Sequence, residues 1–224
     1  MNCKLANEND QTKKGTQWGE GVTHETSGEG DLCGPGWLHY YEDPLLAVLH
    51  NPIHGVFNPS TMHLWEIVAE GVIKKDGQMK AGCSKMTTVR RIEIPSVTME
   101  QRVKYAILCA LEVCQEPLFV AWANKWLSGE DRSARSAESA AESAWSAWSA
   151  RSVWSARSAW SAAESAWSAV ESARVTRVTR VARVAAARSA RSAEAAAQAA
   201  EVAEAVSDGK SLDLISIARK AMEK

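Results

Sequence analysis

Residues 33–44 read Cys33-Gly-Pro-Gly-Trp-Leu-His39-Tyr40-Tyr41-Glu42-Asp43-Pro44 and hold the densest set of polar and aromatic side chains in the chain. Trp37, His39 and Tyr41 are the candidate ligand contacts of this stretch. His50, His54 and His63 follow, with Glu66 and Glu70 close behind. A histidine beside a glutamate can form a general acid–base pair. Neither a nucleophile nor an oxyanion donor accompanies them, so no catalytic residue is assigned, and histidines bonding loop backbone are the simpler reading. Cys33, His39 and Cys83 lack the paired-ligand spacing of a zinc site. No metal and no other cofactor is expected.

The second candidate lies far along the chain. Arg174, Arg177, Arg180, Arg183, Arg188 and Arg191 follow one another with no acidic residue between them. On a helix of about 3.6 residues per turn, Arg177, Arg180 and Arg183 fall within ~120°, so one anionic ligand could meet all three. The guanidinium fork suits phosphate and carboxylate alike. The competing reading pairs these arginines with Glu138, Glu142, Glu164 and Glu171 on neighbouring helices. Tryptophans at 145, 148, 154, 160 and 167 interleave with Arg151 and Arg157, spacing that permits Trp–Arg stacking. The simpler expectation makes those tryptophans the core of the helical part.

Around residues 33–44, a glycine-rich turn running into an aromatic strand and a capped helix resembles the G-x-Y-x-x-x-P segment of ADP-ribosyltransferase-like folds. The resemblance implies a tyrosine stacked on nicotinamide. The upstream His-Gly-Thr/Ser element of those enzymes has no counterpart here, and no glutamate sits in their Glu-x-Glu or Gln-x-Glu setting. A degenerate transferase is therefore kept as an alternative.

The elements that must position these residues suggest an α+β protein: a small mixed strand/helix N-terminal domain followed by an Ala/Ser-rich all-α region. Residues 1–97 form the head. Within it, 1–36 are polar and mostly irregular, and 37–41 make an aromatic strand. Asp43-Pro44 caps a short helix through Leu49, and a loop spans Asn51-Pro52 to Asn58-Pro59. Met62 to Ala69 reads as a strand, Lys74-Lys75-Asp76-Gly77 as a hairpin turn, and Val89 to Ile94 as another strand. A connecting helical pair occupies 98–129. Thr98 and Gln101 make a capping box for the first helix. The second starts at Pro117 and stops at Ser128-Gly129.

From 130 to 206 the text becomes Ser-Ala-X triplets, with X as Trp, Arg or Glu, and from 133 on it has no Gly, Pro or Lys. A strict step of three drifts about 60° per turn of the repeat, too tight for an ordinary coiled coil. Shorter packed helices are expected, with a bend at the β-branched run Val175–Val181. Residues 207–224 supply a last amphipathic helix, capped by Ser211 and docked on the helices at 99–127.

The formal net charge is -1, which gives no global pull toward nucleic acid or anionic membrane. Nucleic acid is accordingly not favoured as a partner. No apolar stretch reaches the ~20 residues a bilayer crossing needs. Five irregularly spaced cysteines suit free thiols in a reducing cytoplasm.

Leu32-Cys-Gly-Pro-Gly-Trp-Leu-His39, Leu64-Trp-Glu66, Ala106-Ile-Leu-Cys-Ala-Leu-Glu-Val113, Trp126-Leu-Ser-Gly-Glu-Asp-Arg132, the Ala-rich repeat and Leu214-Ile-Ser-Ile-Ala218 occur in this order. Together they resemble an uncharacterised family of accessory proteins of tailed phages and prophages. The helical part is also similar to Ala-rich immunity proteins of bacterial toxin systems. The resemblance implies a protein working in the cytoplasm of a host bacterial cell and carries no catalytic residues. The expected function is a non-enzymatic binding protein that antagonises a host process, with antiviral defence as the candidate. It would occlude a host protein or sequester an anionic, nucleotide-like signal. A structural protein whose helical tail drives homo-oligomer assembly is the other alternative.

Overall fold

The computed structural model describes residues 1–148, 153–178, 182–206 and 212–223, with the side chains at 14, 143–148, 153–156, 172–178, 182–189 and 204–206 outside the description. The chain divides into two compact units, Met1–Ser96 and Val97–Lys224. The first carries all five strands and one α-helix; the second is all helix.

The head strands are β1 (Cys3–Ala6), β2 (Thr23–Glu25), β3 (Leu38–Tyr40), β4 (His63–Asp76) and β5 (Lys80–Ile92). All pair antiparallel, in the order β1-β4-β5-β2, with β3 also on β5. Leu5 lies opposite Leu64, and Tyr40 opposite Ala81. Cys3 then bridges Tyr41 through two backbone hydrogen bonds of 2.8 Å, which returns the end of β3 to β1 and curls the sheet on itself.

The long β4–β5 hairpin departs from the sequence expectation. Lys74, Lys75 and Asp76 are strand, and the turn falls at Gly77–Met79 between Asp76 and Lys80. The outer half of β4 is exposed on both faces and so shows no alternation for sequence to reveal. Gly71, at φ 75°, forms a bulge against Ser84, whose hydroxyl accepts from the Val72 N–H at 2.9 Å. Gly82 inside β5 is needed for space: a Cβ there would lie 2.6 Å from Leu32 Cδ1.

The head's helix, α1 (Pro44–His54), begins as expected, with the Asp43 carboxylate accepting from the Leu45 N–H at 2.8 Å. It continues through Pro52 where a loop was expected. Asn51 holds the extra turn: its carbonyl accepts from Gly55 and Val56, and its side-chain amide pairs with both backbone groups of Phe57, at 2.8 and 2.9 Å.

In the second unit, α2 (Met99–Val113) has the Thr98–Gln101 capping box. Helix α3 (Pro117–Ser128) ends on Gly129 in the left-handed conformation, φ 80°. The repeat makes α4 (Ala134–Trp148), α5 (Val153–Val178) and α6 (Ala182–Val206). Residues 179–181 of the β-branched run, where a bend was expected, lie outside the described residues. Helix α7 (Leu214–Met222) is capped by Asp213, which accepts from the Ser216 N–H at 3.0 Å; Ser211, the cap expected from sequence, lies outside the described residues. It docks on α2, where Gln101 and Lys104 donate to the carbonyls of Met222 and Glu223.

Helix α5 is central, packed by α2, α4 and α6. Its antiparallel register on α6 is fixed by buried serines. Ser165 donates to the Ser192 carbonyl at 3.0 Å, Ser192 returns a bond to the Ser165 carbonyl at 2.7 Å, and Ser158 reaches the Ala199 carbonyl at 2.9 Å. The core here is alanine: Ala159, Ala162, Ala163, Ala196 and Ala199 are buried with Ile107, Phe119 and Trp122. Of the tryptophans expected to make this core, Trp160 and Trp167 are partly buried and pack against its margin, while the side chains of Trp145, Trp148 and Trp154 lie outside the described residues.

Candidate functional site

The aromatic stretch of the head divides by strand parity. Leu38 and Tyr40 turn into one apolar cluster with Trp18, Trp65 and Met86. Tyr41 turns toward α1, where His50 and His54 meet it one helical turn apart. The Tyr41 hydroxyl lies 3.0 Å from His54 Nδ1, and the two rings stack with centroids 6.1 Å apart. His50 meets both rings edge-on, at 6.4 Å from Tyr41 and 5.7 Å from His54.

This cluster is largely buried and uncharged. Burial, reinforced by neighbouring His54, pushes the fully buried His50 down to about 3. Burial, then the positive Lys80 and His39, pushes His54 down to about 4. Burial raises the Tyr41 phenol above its usual range, with Cys3 adding to it. His54 Nε2 is covered from water and has no hydrogen-bond partner among the described residues. His39, also held below its usual range by burial, bonds its Nε2 to the Leu32 carbonyl.

Each head residue named from sequence therefore has an internal partner. Trp37 is 6% exposed, with Nε1 donating to the Gly30 carbonyl at 3.2 Å and Lys74 over its ring. Tyr40 and Tyr41 are 2% and 8% exposed, so neither ring presents an open face for nicotinamide. His63 belongs elsewhere: its Nδ1 meets Asp10 at 2.8 Å, and Trp65 and Arg91 bond the same carboxylate. Burial would raise the Asp10 carboxyl, but those three partners together hold it below its usual range. Lys4 is buried under Trp18 and donates to the His39 carbonyl at 2.7 Å; burial lowers its amine to about 8.

Cys33, His39 and Cys83 do not converge. Cys33 is exposed with Lys80 Nζ 3.0 Å from its sulfur, while Cys83 is buried in β5. All five cysteines are free thiols. Among the described residues no three His, Cys, Asp or Glu side chains gather as a metal site, and no helix is long and apolar enough to cross a membrane. Of the arginine candidates, Arg180 and the side chains of Arg177 and Arg183 lie outside the described residues.

An open site that sequence reading missed lies in the helical unit. Leu118, Ala121, Trp122 and Lys125 of α3 face Arg135, Ser136, Ser139 and Ala140 of α4 across a groove of about 450 Å³. The turn between the helices is braced. Arg132 donates to the Trp126 carbonyl at 2.9 Å, stacks on the Trp126 ring and pairs with Glu100 at 2.6 Å. Ser133 caps α4 by accepting from the Ser136 N–H at 3.2 Å, and its own N–H donates to Asp131 at 2.9 Å; the Ser133 hydrogen bonds hold the Asp131 carboxyl below the usual range. Lys125 lies 3.7 Å from Glu130, both well exposed. Arg135 is exposed and makes no ion pair among the described residues. The floor residue Trp122 is 6% exposed, and its Nε1–H, shut off from water, meets no acceptor among the described residues. The only sequence signal was an arginine in the first turn of a serine-capped helix, and nothing in it marks a groove.

A family model described as a domain of unknown function, DUF7666, matches residues 2–100. The match covers the head and ends at the first turn of α2, so the groove and the Ala-rich helices lie beyond it. Neither a curated protein nor a solved structure matches the chain.

Proposed function

We propose that this chain is a non-enzymatic binding protein that antagonises a host process in a bacterial cell, antiviral defence being the process the phage-family resemblance points to. It does so by occluding a host protein or sequestering a nucleotide signal. The observation that supports this reading is the α3–α4 groove. It has the volume of a small-ligand site, an apolar floor and an arginine with no partner among the described residues. The head offers the contrasting case, since its chemistry-bearing side chains are spent on one another.

Native mass spectrometry of the chain purified from bacterial cytosol tests the reading. The expected result is an added mass, small molecule or host protein, that denaturation releases. A bare chain that consumes NAD would favour the transferase alternative instead, and a bare chain seen only as a stable multiple of itself would favour assembly.

A further inference from the structure

We propose that Cys33 and Lys80 form a redox modification site, at which a peroxide drives a reversible sulfur–nitrogen cross-link between the two side chains. This site lies wholly in the head and is independent of the helical groove. All five cysteines are free, but only Cys33 is exposed. Cys3, Cys83, Cys109 and Cys114 are 4% exposed or less. Burial pushes the Cys3 thiol up to about 12 and also raises those of Cys83 and Cys114. Buried thiols of this kind are inert, since oxidation follows thiolate character and access.

Cys33 has a nitrogen nucleophile beside it. Lys80 Nζ lies 3.0 Å from its sulfur. Other lysines of the hairpin meet carboxylates, Lys75 that of Glu42 and Lys85 that of Glu25, whereas Lys80 meets the thiol. The fold holds both members of the pair. On the Cys33 side, the Gly30 carbonyl accepts from Trp37 Nε1 at 3.2 Å and from Lys74 Nζ at 3.0 Å, and the Leu32 carbonyl accepts from His39 Nε2. Lys80 is the first residue of β5 and follows the buried Met79. Leu32 already packs on Gly82 of the same strand, so a Cys33–Lys80 bond joins two segments that are in contact.

The chemistry runs in two balanced steps. The Cys33 sulfur attacks one oxygen of hydrogen peroxide: an S–O bond forms, the O–O bond breaks, and the leaving hydroxide departs as water with the thiol proton. The sulfur gives up two electrons and the peroxide takes them, leaving a sulfenic acid. The Lys80 ammonium then yields a proton to solvent, and its amine attacks the same sulfur. An S–N bond forms, the S–O bond breaks, and a second water leaves. Sulfenic acids condense with thiols and with nitrogen in this way, the latter giving a sulfenamide. A free thiol that attacks the bridged sulfur reverses the link and returns the amine.

The test treats the full chain with a slight excess of hydrogen peroxide and reads intact mass and a tryptic map, before and after dithiothreitol. The expected product is about 2 Da lighter than the reduced chain, with the Cys33 and Lys80 peptides joined, and dithiothreitol restores the starting mass. Lys80→Arg keeps the cation and removes the condensing amine. Its Cys33 should instead proceed to the sulfinic acid, about 32 Da heavier, which dithiothreitol does not reverse. A loss of about 2 Da that persists in Lys80→Arg would assign the bond to backbone nitrogen or to another cysteine, and would overturn the proposal. So would a chain with Lys80 in place that gains oxygen at Cys33 without joining the two peptides, or one whose Cys33 resists peroxide altogether.

Discussion

The head and the helical unit bury their interiors by opposite means. In the head, large and dissimilar side chains meet specific partners: Tyr41 has His54, Trp65 has Asp10, Trp37 has Gly30 and Lys4 has Trp18. In the helical unit, the same two small residues recur, and the core is made by how closely backbones approach. Ala159, Ala162, Ala163 and Ser165 of α5 are all essentially unexposed, and the serines bond to the carbonyls of the facing helix. The lesson is that a polar side chain can serve packing in both settings, through a named partner in one and through smallness in the other. Neither use leaves it available for a ligand. The groove differs because its arginine is committed to neither.

The contrast breaks most sharply under changes of size. Leu64→Ala in the head removes a side chain that is 1% exposed and should cost about 2–5 kcal/mol. Ala163→Leu in α5 should be destabilising in the opposite sense, by overpacking, at about 1–3 kcal/mol. Thermal melts of both variants check the pair. If Ala163→Leu melts like the original chain, α5 is not held by close approach.

Acid should come next in size and act on the head. His50 sits at about 3 in the fold and near ~6.5 unfolded, so above ~6.5 both states are neutral and pH has no effect through it. Below that, the unfolded chain takes up the proton first, and stability falls as pH falls until about 3. At pH 4 the loss from this residue is roughly 3 kcal/mol. His50→Phe should shrink the difference in melting temperature between pH 7 and pH 4. An undiminished difference would place the acid sensitivity elsewhere.

The smallest effect should come from the serine register. Ser165→Ala removes one hydroxyl of the reciprocal pair with Ser192 and should cost about 0.5–1.5 kcal/mol. Ser136→Ala, a partly buried serine near the start of α4, is the comparison, and it should cost less. Equal costs would mean that the Ser165–Ser192 contact does not set the α5–α6 register.

The same contrast explains what was legible in sequence. Caps and stops were, because they depend on local chemistry: Asp43 before Pro44, Thr98 with Gln101, Gly129 after α3. The outer half of β4 was not, since both its faces are wet and alternation never develops. The extra turn of α1 was hidden by Pro52, because what holds it is the Asn51 side chain closing on Phe57. In the repeat, helix could be read from composition, but not which triplet faces inward, since one text fits every face. Tyr41, His50 and His54 could be singled out as reactive types. That they would meet and neutralise one another depends on strand parity and on where α1 crosses, and neither is written locally.

The central claim is that binding capacity lies in the helical groove and that the polar cluster of the head is structural. Ligand occupancy, read by native mass spectrometry alongside the melting temperature, tests it directly on two variants, Tyr41→Phe and Arg135→Ala. The account expects Tyr41→Phe to lower the melting temperature and keep the bound mass, and Arg135→Ala to keep the melting temperature and lose the bound mass. Loss of the bound mass in Tyr41→Phe, with full retention in Arg135→Ala, would contradict it and return the site to the head.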